Sequence, residues 1–162
     1  MNALFAYGTL LFPPVLRVIA GSVPRSIPAT LDGFARRRVA GELFPAIVEA
    51  PGERVDGVLY LGLDDRAWRR LDAFEGDLYE RRSVVVTVPR ALVPAELDSA
   101  GACDGGSLIA GGAAERRTLS GLTYVLDREL RHRSSAALWD PDAFARDHLE
   151  AFVARLERGI RD

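Results

Sequence analysis

The sequence of 162 residues contains one cysteine, two histidines and no lysine, so its 21 basic residues are all arginine. The lone Cys103 cannot form a disulfide within the chain, has no histidine beside it to favour a catalytic thiol, and belongs to no Cys/His cluster of metal-ligand spacing. Without lysine, the chain cannot act through a Schiff base or a lysine nucleophile. We therefore expect no metal site.

Long apolar runs and a secretory signal are also absent. No apolar stretch approaches the roughly 20 residues of a membrane span, and the N-terminus lacks a basic start and a small-residue cleavage pattern. The net charge is −2, and the arginines are spread along the chain except at positions 36–38, a cluster interpreted as a solvated edge strand. We expect a soluble, cytoplasmic protein that binds neither nucleic acid nor membranes.

The opening stretch is the first candidate site. Leu4 to Tyr7 form an apolar and aromatic run that stops at Gly8, which predicts a buried strand followed by a turn. A glycine without Cβ permits a sharp turn and lets a ligand approach main-chain N–H groups. The turn is either a cradle for a small polar or anionic group or an ordinary strand connection.

A predicted helix that begins at Asp64 supplies the second candidate. Trp68, Leu71 and Glu75 share one face at 3.6 residues per turn, so Glu75 stands where a core residue is expected. Gly76 follows as the C-terminal cap. Burial and the helix C-terminus would both raise the pKa of Glu75, which suits a general acid–base.

An alternative interpretation gives Glu75 a structural role. In it, Glu75 pairs with Arg81 or Arg82 and only ties the helix end to the next strand. Helix geometry does not separate the two interpretations.

The remaining pattern predicts an α+β domain. Strands are expected at 27–31, 33–39, 55–63, 79–88 and 118–126, a short helix after Pro13-Pro14, a loop insertion at 89–117 and a C-terminal helical extension at 140–160. Tyr124 points either towards the site or to solvent. His148, beside the apolar stripe of the last helix, is interpreted as a packed or surface histidine.

Three stretches in this order resemble the γ-glutamylcyclotransferase-like family, in its AIG2-like branch, over roughly residues 3–126. They are Phe5-Ala6-Tyr7-Gly8-Thr9-Leu10, Val55-Asp56-Gly57-Val58-Leu59-Tyr60 and Leu71-Asp72-Ala73-Phe74-Glu75-Gly76-Asp77-Leu78-Tyr79-Glu80-Arg81. The resemblance implies one domain, 1–162, with a small mixed β-barrel, flanking α-helices, a cavity at one end and a C-terminal helix. The long insertion departs from compact members of the family.

The resemblance also implies an activity: a cofactor-independent enzyme that releases 5-oxoproline and a free amine from a γ-glutamyl-amine or γ-glutamyl peptide. The substrate α-amine attacks its own γ-carbonyl, with Glu75 as general acid/base. The implied substrate-binding residues are Tyr7, Gly8, Thr9, Leu10, Tyr79, Arg81 and Tyr124. The alternatives are a non-catalytic module that binds a small carboxylate, and transfer or hydrolysis of a related amide. A monomer or homodimer is expected.

Overall fold

The computed structural model describes residues 2–99 and 115–159, which form six strands and five α-helices. The strands are β1 (Ala3–Ala6), β2 (Ser26–Val39), β3 (Pro45–Leu61), β4 (Tyr79–Pro89), β5 (Arg116–Leu126) and β6 (Ser134–Leu138). The helices are α1 (Pro13–Ala20), α2 (Asp65–Glu75), α3 (Ala95–Ser99), α4 (Pro141–Asp147) and α5 (Leu149–Gly159). In this part of the chain, no helix is long and apolar enough to cross a membrane.

Five of the strands close into a ring. The sheet order is β3-β1-β5-β4-β2-β6, and β2 also pairs with β3, so β6 is the one strand added outside the ring. Strand β1 runs antiparallel to β3 and parallel to β5. The ring is close to the predicted small barrel, and the mixed α+β class is confirmed.

Strand β1 lies between two cores. Leu4 and Ala6 pack with side chains of α1, α2 and α5, whereas Phe5 and Tyr7 face the interior of the ring. Because both faces of the strand are covered, its residues form a continuous apolar run rather than an alternating one. Burying a side chain such as Phe5, which is 1% exposed, contributes roughly 2 kcal/mol. The predicted buried opening strand is confirmed, ending one residue earlier than expected.

One predicted strand break is wrong. The segments 27–31 and 33–39 form the single strand β2, in which Gly33 at φ 83° accommodates a shift of register against β3. A glycine at positive φ can form a bulge inside a strand as well as a turn that ends it. The strand predicted at 55–63 begins earlier than expected, because β3 starts at Pro45 and ends at Leu61.

The predicted loop insertion is structured at both of its ends. A 3-10 turn at Arg90–Leu92 and helix α3 follow β4, and β5 begins at Arg116. Positions 100–114, with Cys103, lie outside the described residues.

The predicted C-terminal helix at 140–160 is two helices, and position 160 lies outside the described residues. The break falls at His148, whose φ of −134° and ψ of −21° leave helical geometry. His148 is exposed, and its ring lies 6.1 Å from that of Phe144. Asp140 caps α4, and the rings of Trp139 and Phe144 meet at 5.4 Å, as expected for a hydrophobic staple.

Candidate active site

A cavity of about 210 Å³ lies where β1 ends. It is bounded by the turn after β1, the end of α2, the start of β4, strand β5 and helix α5. The lining residues are Phe5, Ala6, Tyr7, Gly8, Thr9, Leu10, Phe44, Pro45, Phe74, Glu75, Leu78, Tyr79, Tyr124, Phe152, Arg155 and Leu156. The cavity thus brings together all the predicted site residues except Arg81.

Helix α2 places Glu75 in the cavity wall. The Asp64 carboxylate caps the helix by accepting a hydrogen bond from the Ala67 N–H at 2.7 Å, which satisfies one of the unpaired donors of the first turn. Trp68 and Leu71 are buried on the face that Glu75 shares. The helix ends at Glu75, as the sequence predicts, and Glu75 lines the cavity together with the turn after β1.

The Glu75 carboxyl is half-buried and has no hydrogen-bond or ion-pair partner within 2–99 and 115–159. Burial raises its pKa from 4.5 to about 8, because the charged form loses water without gaining a compensating donor. A carboxyl in this range can both take and return a proton near neutral pH.

The arginines that could neutralise Glu75 are engaged elsewhere. Arg82 lies 3.0 Å from carboxylate oxygens of both Glu49 and Glu80. Arg81 donates to the Asp72 carboxylate at 2.8 Å. The structure therefore does not contain the ion pair of the structural interpretation.

Arg81 lies outside the cavity lining. Besides its ion pair with Asp72, its guanidinium lies 5.1 Å from the centroid of the Trp68 ring. These contacts bind the start of β4 to helix α2. A direct role in substrate binding stays a prediction for this residue.

The turn after β1 has its carbonyl oxygens occupied. Arg36 Nη1 donates to the Tyr7 carbonyl at 2.8 Å, and the Tyr60 hydroxyl lies 3.1 Å from the Leu10 carbonyl oxygen. The carbonyls of Gly8 and Thr9 accept main-chain N–H groups of the following 3-10 turn, Thr9–Leu11 and its cap, at 3.0 and 3.3 Å.

The main-chain N–H groups of Gly8, Thr9 and Leu10 have no acceptor in the part of the chain that the structure describes. All three residues line the cavity. The main chain of the turn therefore offers N–H donors while its carbonyls are already bonded, an arrangement suited to a carboxylate or a developing oxyanion.

Gly8 has a packing role beside the one predicted for it in the turn. Its φ of −121° is open to any residue. A Cβ at this position, however, would lie 2.8 Å from Cγ of Pro45, closer than side-chain carbons approach without displacement. The glycine thus lets Pro45 pack on the turn.

The three predicted tyrosines line the cavity, but their hydroxyls bind protein groups. Tyr7 donates to the Tyr124 carbonyl at 2.6 Å, Tyr79 to the Pro45 carbonyl at 2.7 Å, and Tyr124 to Asp72 Oδ1 at 2.8 Å. Burial raises the pKa of each phenol above its ordinary value, so all three stay protonated. Tyr124 points inward, and the trio frames the cavity.

Arg36 contradicts the interpretation of the arginine cluster as a solvated edge. Besides donating to Tyr7, it lies 3.4 Å from the Asp56 carbonyl, and its guanidinium is 5.6 Å from the centroid of the Trp139 ring. Sequence reasoning missed it because these partners are distant in the chain. It likewise missed Phe152, Arg155 and Leu156 of α5 as residues that line the cavity.

No group of three or more potential metal ligands occurs in residues 2–99 and 115–159. A ring of five strands, with an unpaired carboxyl and a donor-lined turn in one cavity, forms an α+β domain with a candidate site for a small molecule. The family model described as "Gamma-glutamyl cyclotransferase, AIG2-like" matches residues 4–101. The chain belongs to this family.

Relatives of known sequence are similar over part of the chain. "AIG2-like protein D" of Arabidopsis thaliana is 36% identical over 86 residues, which cover 53% of this chain and 57% of that protein. "AIG2-like protein A" of the same organism is 37% identical over 84 residues, covering 52% and 51%. The matched region thus spans about half the length of these curated relatives.

Solved structures share the fold over nearly the whole chain. A "Gamma-glutamyl cyclotransferase" at 15% identity has a TM-score of 0.58, with 96% of this chain and 86% of that chain covered. A yeast gamma-glutamyl cyclotransferase specific to glutathione, at 17% identity, has a TM-score of 0.56 and covers 99% and 87%. An Arabidopsis thaliana protein solved in solution, at 25% identity, has a TM-score of 0.56 and covers 98% and 81%.

Proposed function

We propose that this chain is an enzyme of the γ-glutamyl cyclotransferase type, which releases 5-oxoproline and a free amine from a γ-glutamyl-amine or γ-glutamyl peptide. The observation that carries the proposal is the unpaired Glu75 carboxyl, with its pKa raised to about 8, in one cavity with the donor-lined turn Tyr7–Leu10. Membership of the family supports the same activity. Residues 1–162 then act as one domain, to which α5 contributes part of the cavity wall.

The chemistry requires no enzyme nucleophile. The Glu75 carboxylate takes a proton from the substrate α-ammonium, and the amine nitrogen then attacks the γ-carbonyl carbon to form the lactam bond. As the bond to the departing nitrogen breaks, Glu75 returns a proton to that nitrogen. The ammonium gives up two protons in becoming the lactam N–H, and the departing nitrogen gains two in becoming an ammonium, so the reaction balances within the substrate.

The turn Tyr7–Leu10 supplies electrostatic stabilisation and orientation. Its N–H groups hold the γ-glutamyl group and donate to the oxygen that becomes negative as the lactam closes. One well-aimed donor of this kind is worth about 3 kcal/mol. Folding the substrate so that its amine meets its carbonyl supplies a further part of the rate enhancement.

The state of Glu75 favours this function over a non-catalytic module that binds a small carboxylate. Carboxylate binding alone makes no use of an unpaired carboxyl whose pKa is raised to about 8. A proton shuttle, by contrast, needs an unpaired carboxyl with a raised pKa.

Incubation of the purified protein with a panel of γ-glutamyl compounds, followed by mass spectrometry for 5-oxoproline, tests the proposal. We expect product from at least one compound. Glu75→Gln should abolish turnover with an unchanged circular dichroism spectrum, whereas the exposed control Glu157→Gln should remain active. Absence of 5-oxoproline with every compound would refute the activity, and full activity of the Glu75 variant would refute its role.

A further inference from the structure

Arg155 is an exposed cation that lines the cavity from helix α5, beyond the region 4–101 matched by the family model. Its guanidinium lies 5.4 Å from the centroid of the Phe152 ring. It forms no ion pair or hydrogen bond within the described residues. A charged group with unused donors thus borders the proposed substrate cavity.

The helix itself offers Arg155 no acidic partner. Residues three and four positions away on a helix are its neighbours, and here these are Ala151, Phe152, Arg158 and Gly159. Contact with the Phe152 ring face uses none of the guanidinium N–H donors. The ring therefore supports the side chain while leaving its donors for a ligand.

The position of Arg155 indicates which part of a substrate it meets. Lactam closure folds the γ-glutamyl group on itself, so Glu75 and the turn Tyr7–Leu10 both contact that folded group. Arg155, on a separate helix, remains for the portion that extends beyond the γ-carbonyl. A planar guanidinium with unused donors favours a carboxylate there.

We infer that Arg155 binds a carboxylate carried by the departing amine, so that γ-glutamyl amino acids or peptides are preferred over γ-glutamyl alkylamines. This inference rests on the proposed function and narrows its substrate class. Arg155 would thereby be a specificity-determining residue that α5 adds to the cavity.

A matched substrate pair tests the inference. γ-Glutamyl-alanine and γ-glutamyl-ethylamide differ only in the carboxylate on the departing amine. For Arg155→Gln, we expect the ratio of kcat/KM between the acidic and the neutral substrate to fall about tenfold, mainly through KM, as for loss of a hydrogen-bonded charge. Arg158→Gln, an exposed substitution on the same helix outside the cavity lining, should leave the ratio unchanged.

The other outcomes distinguish failure of this inference from failure of the proposed function. An unchanged ratio in Arg155→Gln, whether both substrates are impaired or neither is, would overturn the inference while leaving the proposed function in place. If the wild-type protein turns over neither substrate, the proposed activity fails for both, and calorimetric binding of the same pair decides on Arg155. A selective weakening of γ-glutamyl-alanine binding in Arg155→Gln would then uphold the inference. Equal affinity of the wild-type protein and the variant for γ-glutamyl-alanine would overturn it.

Discussion

Glu75→Gln should change how the stability of the protein depends on pH, independently of any substrate. In the unfolded chain, Glu75 titrates near its ordinary pKa of 4.5, whereas burial raises the folded-state pKa to about 8. Between these values the folded state holds a proton that the unfolded state has lost. The contribution of Glu75 to stability is therefore fully present below about 4.5 and is lost as the pH rises through 8.

The size of the effect follows from the two pKa values. The free energy of unfolding changes by about 1.4 kcal/mol per pH unit for each proton held by only one state. Across the full interval this would reach roughly 4–5 kcal/mol, but solvent reaches the half-buried carboxyl through the cavity, so we expect roughly 2–3 kcal/mol. Glutamine has a similar shape and does not ionise, so the variant lacks this slope.

Urea denaturation from pH 5 to pH 9 measures the difference. The free energy of unfolding of Glu75→Gln, relative to wild type, should rise from pH 5 to about pH 8 and then level off. Glu157→Gln, an exposed glutamate outside the cavity, should show no such rise. Parallel wild-type and Glu75→Gln curves across the range would mean that Glu75 titrates normally, and the proposed proton shuttle would lose its basis.

Two further substitutions probe the frame of the site. Gly8→Ala places a Cβ 2.8 Å from Pro45 Cγ. The free energy of unfolding, measured by heat or urea, should therefore fall by about 1–3 kcal/mol, and kcat/KM should fall roughly 10–100-fold because the turn moves. Wild-type stability and activity would show that Pro45 moves aside at little cost. Arg81→Ala should lower the free energy of unfolding by less than about 1 kcal/mol, since both side chains of its ion pair are partly exposed, and it should not abolish turnover. A folded but inactive variant would contradict this expectation.

The parts of the site that could be predicted from sequence rest on local patterns. Two patterns depend only on residues close together in the sequence. They are the apolar run that ends at Gly8 and the helical spacing of Trp68, Leu71 and Glu75. The structure places the turn and Glu75 in one cavity. Strand order and the closure of the ring are long-range properties, which the predicted barrel took from family resemblance rather than from these patterns.

The parts that could not be predicted depend on contacts between distant segments. Arg36 reaches Tyr7 across 29 positions, and the Tyr60 hydroxyl reaches Leu10 across 50. Neither contact alters the local periodicity of the sequence, so the sequence does not indicate that Arg36 and Tyr60 support the turn. Arg155 lines the cavity from α5, which begins after a break at His148, and the continuous apolar stripe of the sequence does not indicate this break.

Asp72 explains how Glu75 remains unpaired although Arg81 follows closely in the chain. Asp72 lies one helical turn before Glu75, pairs with Arg81 at 2.8 Å and accepts the Tyr124 hydroxyl at the same distance. An arginine paired with Glu75 would lower the pKa of that carboxyl and remove its use as a proton shuttle. The helix thus carries two carboxylates with separate roles. The exposed Asp72 binds Arg81, and the half-buried Glu75 keeps its raised pKa. Both acidic residues of the Leu71-Asp72-Ala73-Phe74-Glu75 stretch therefore matter to the site.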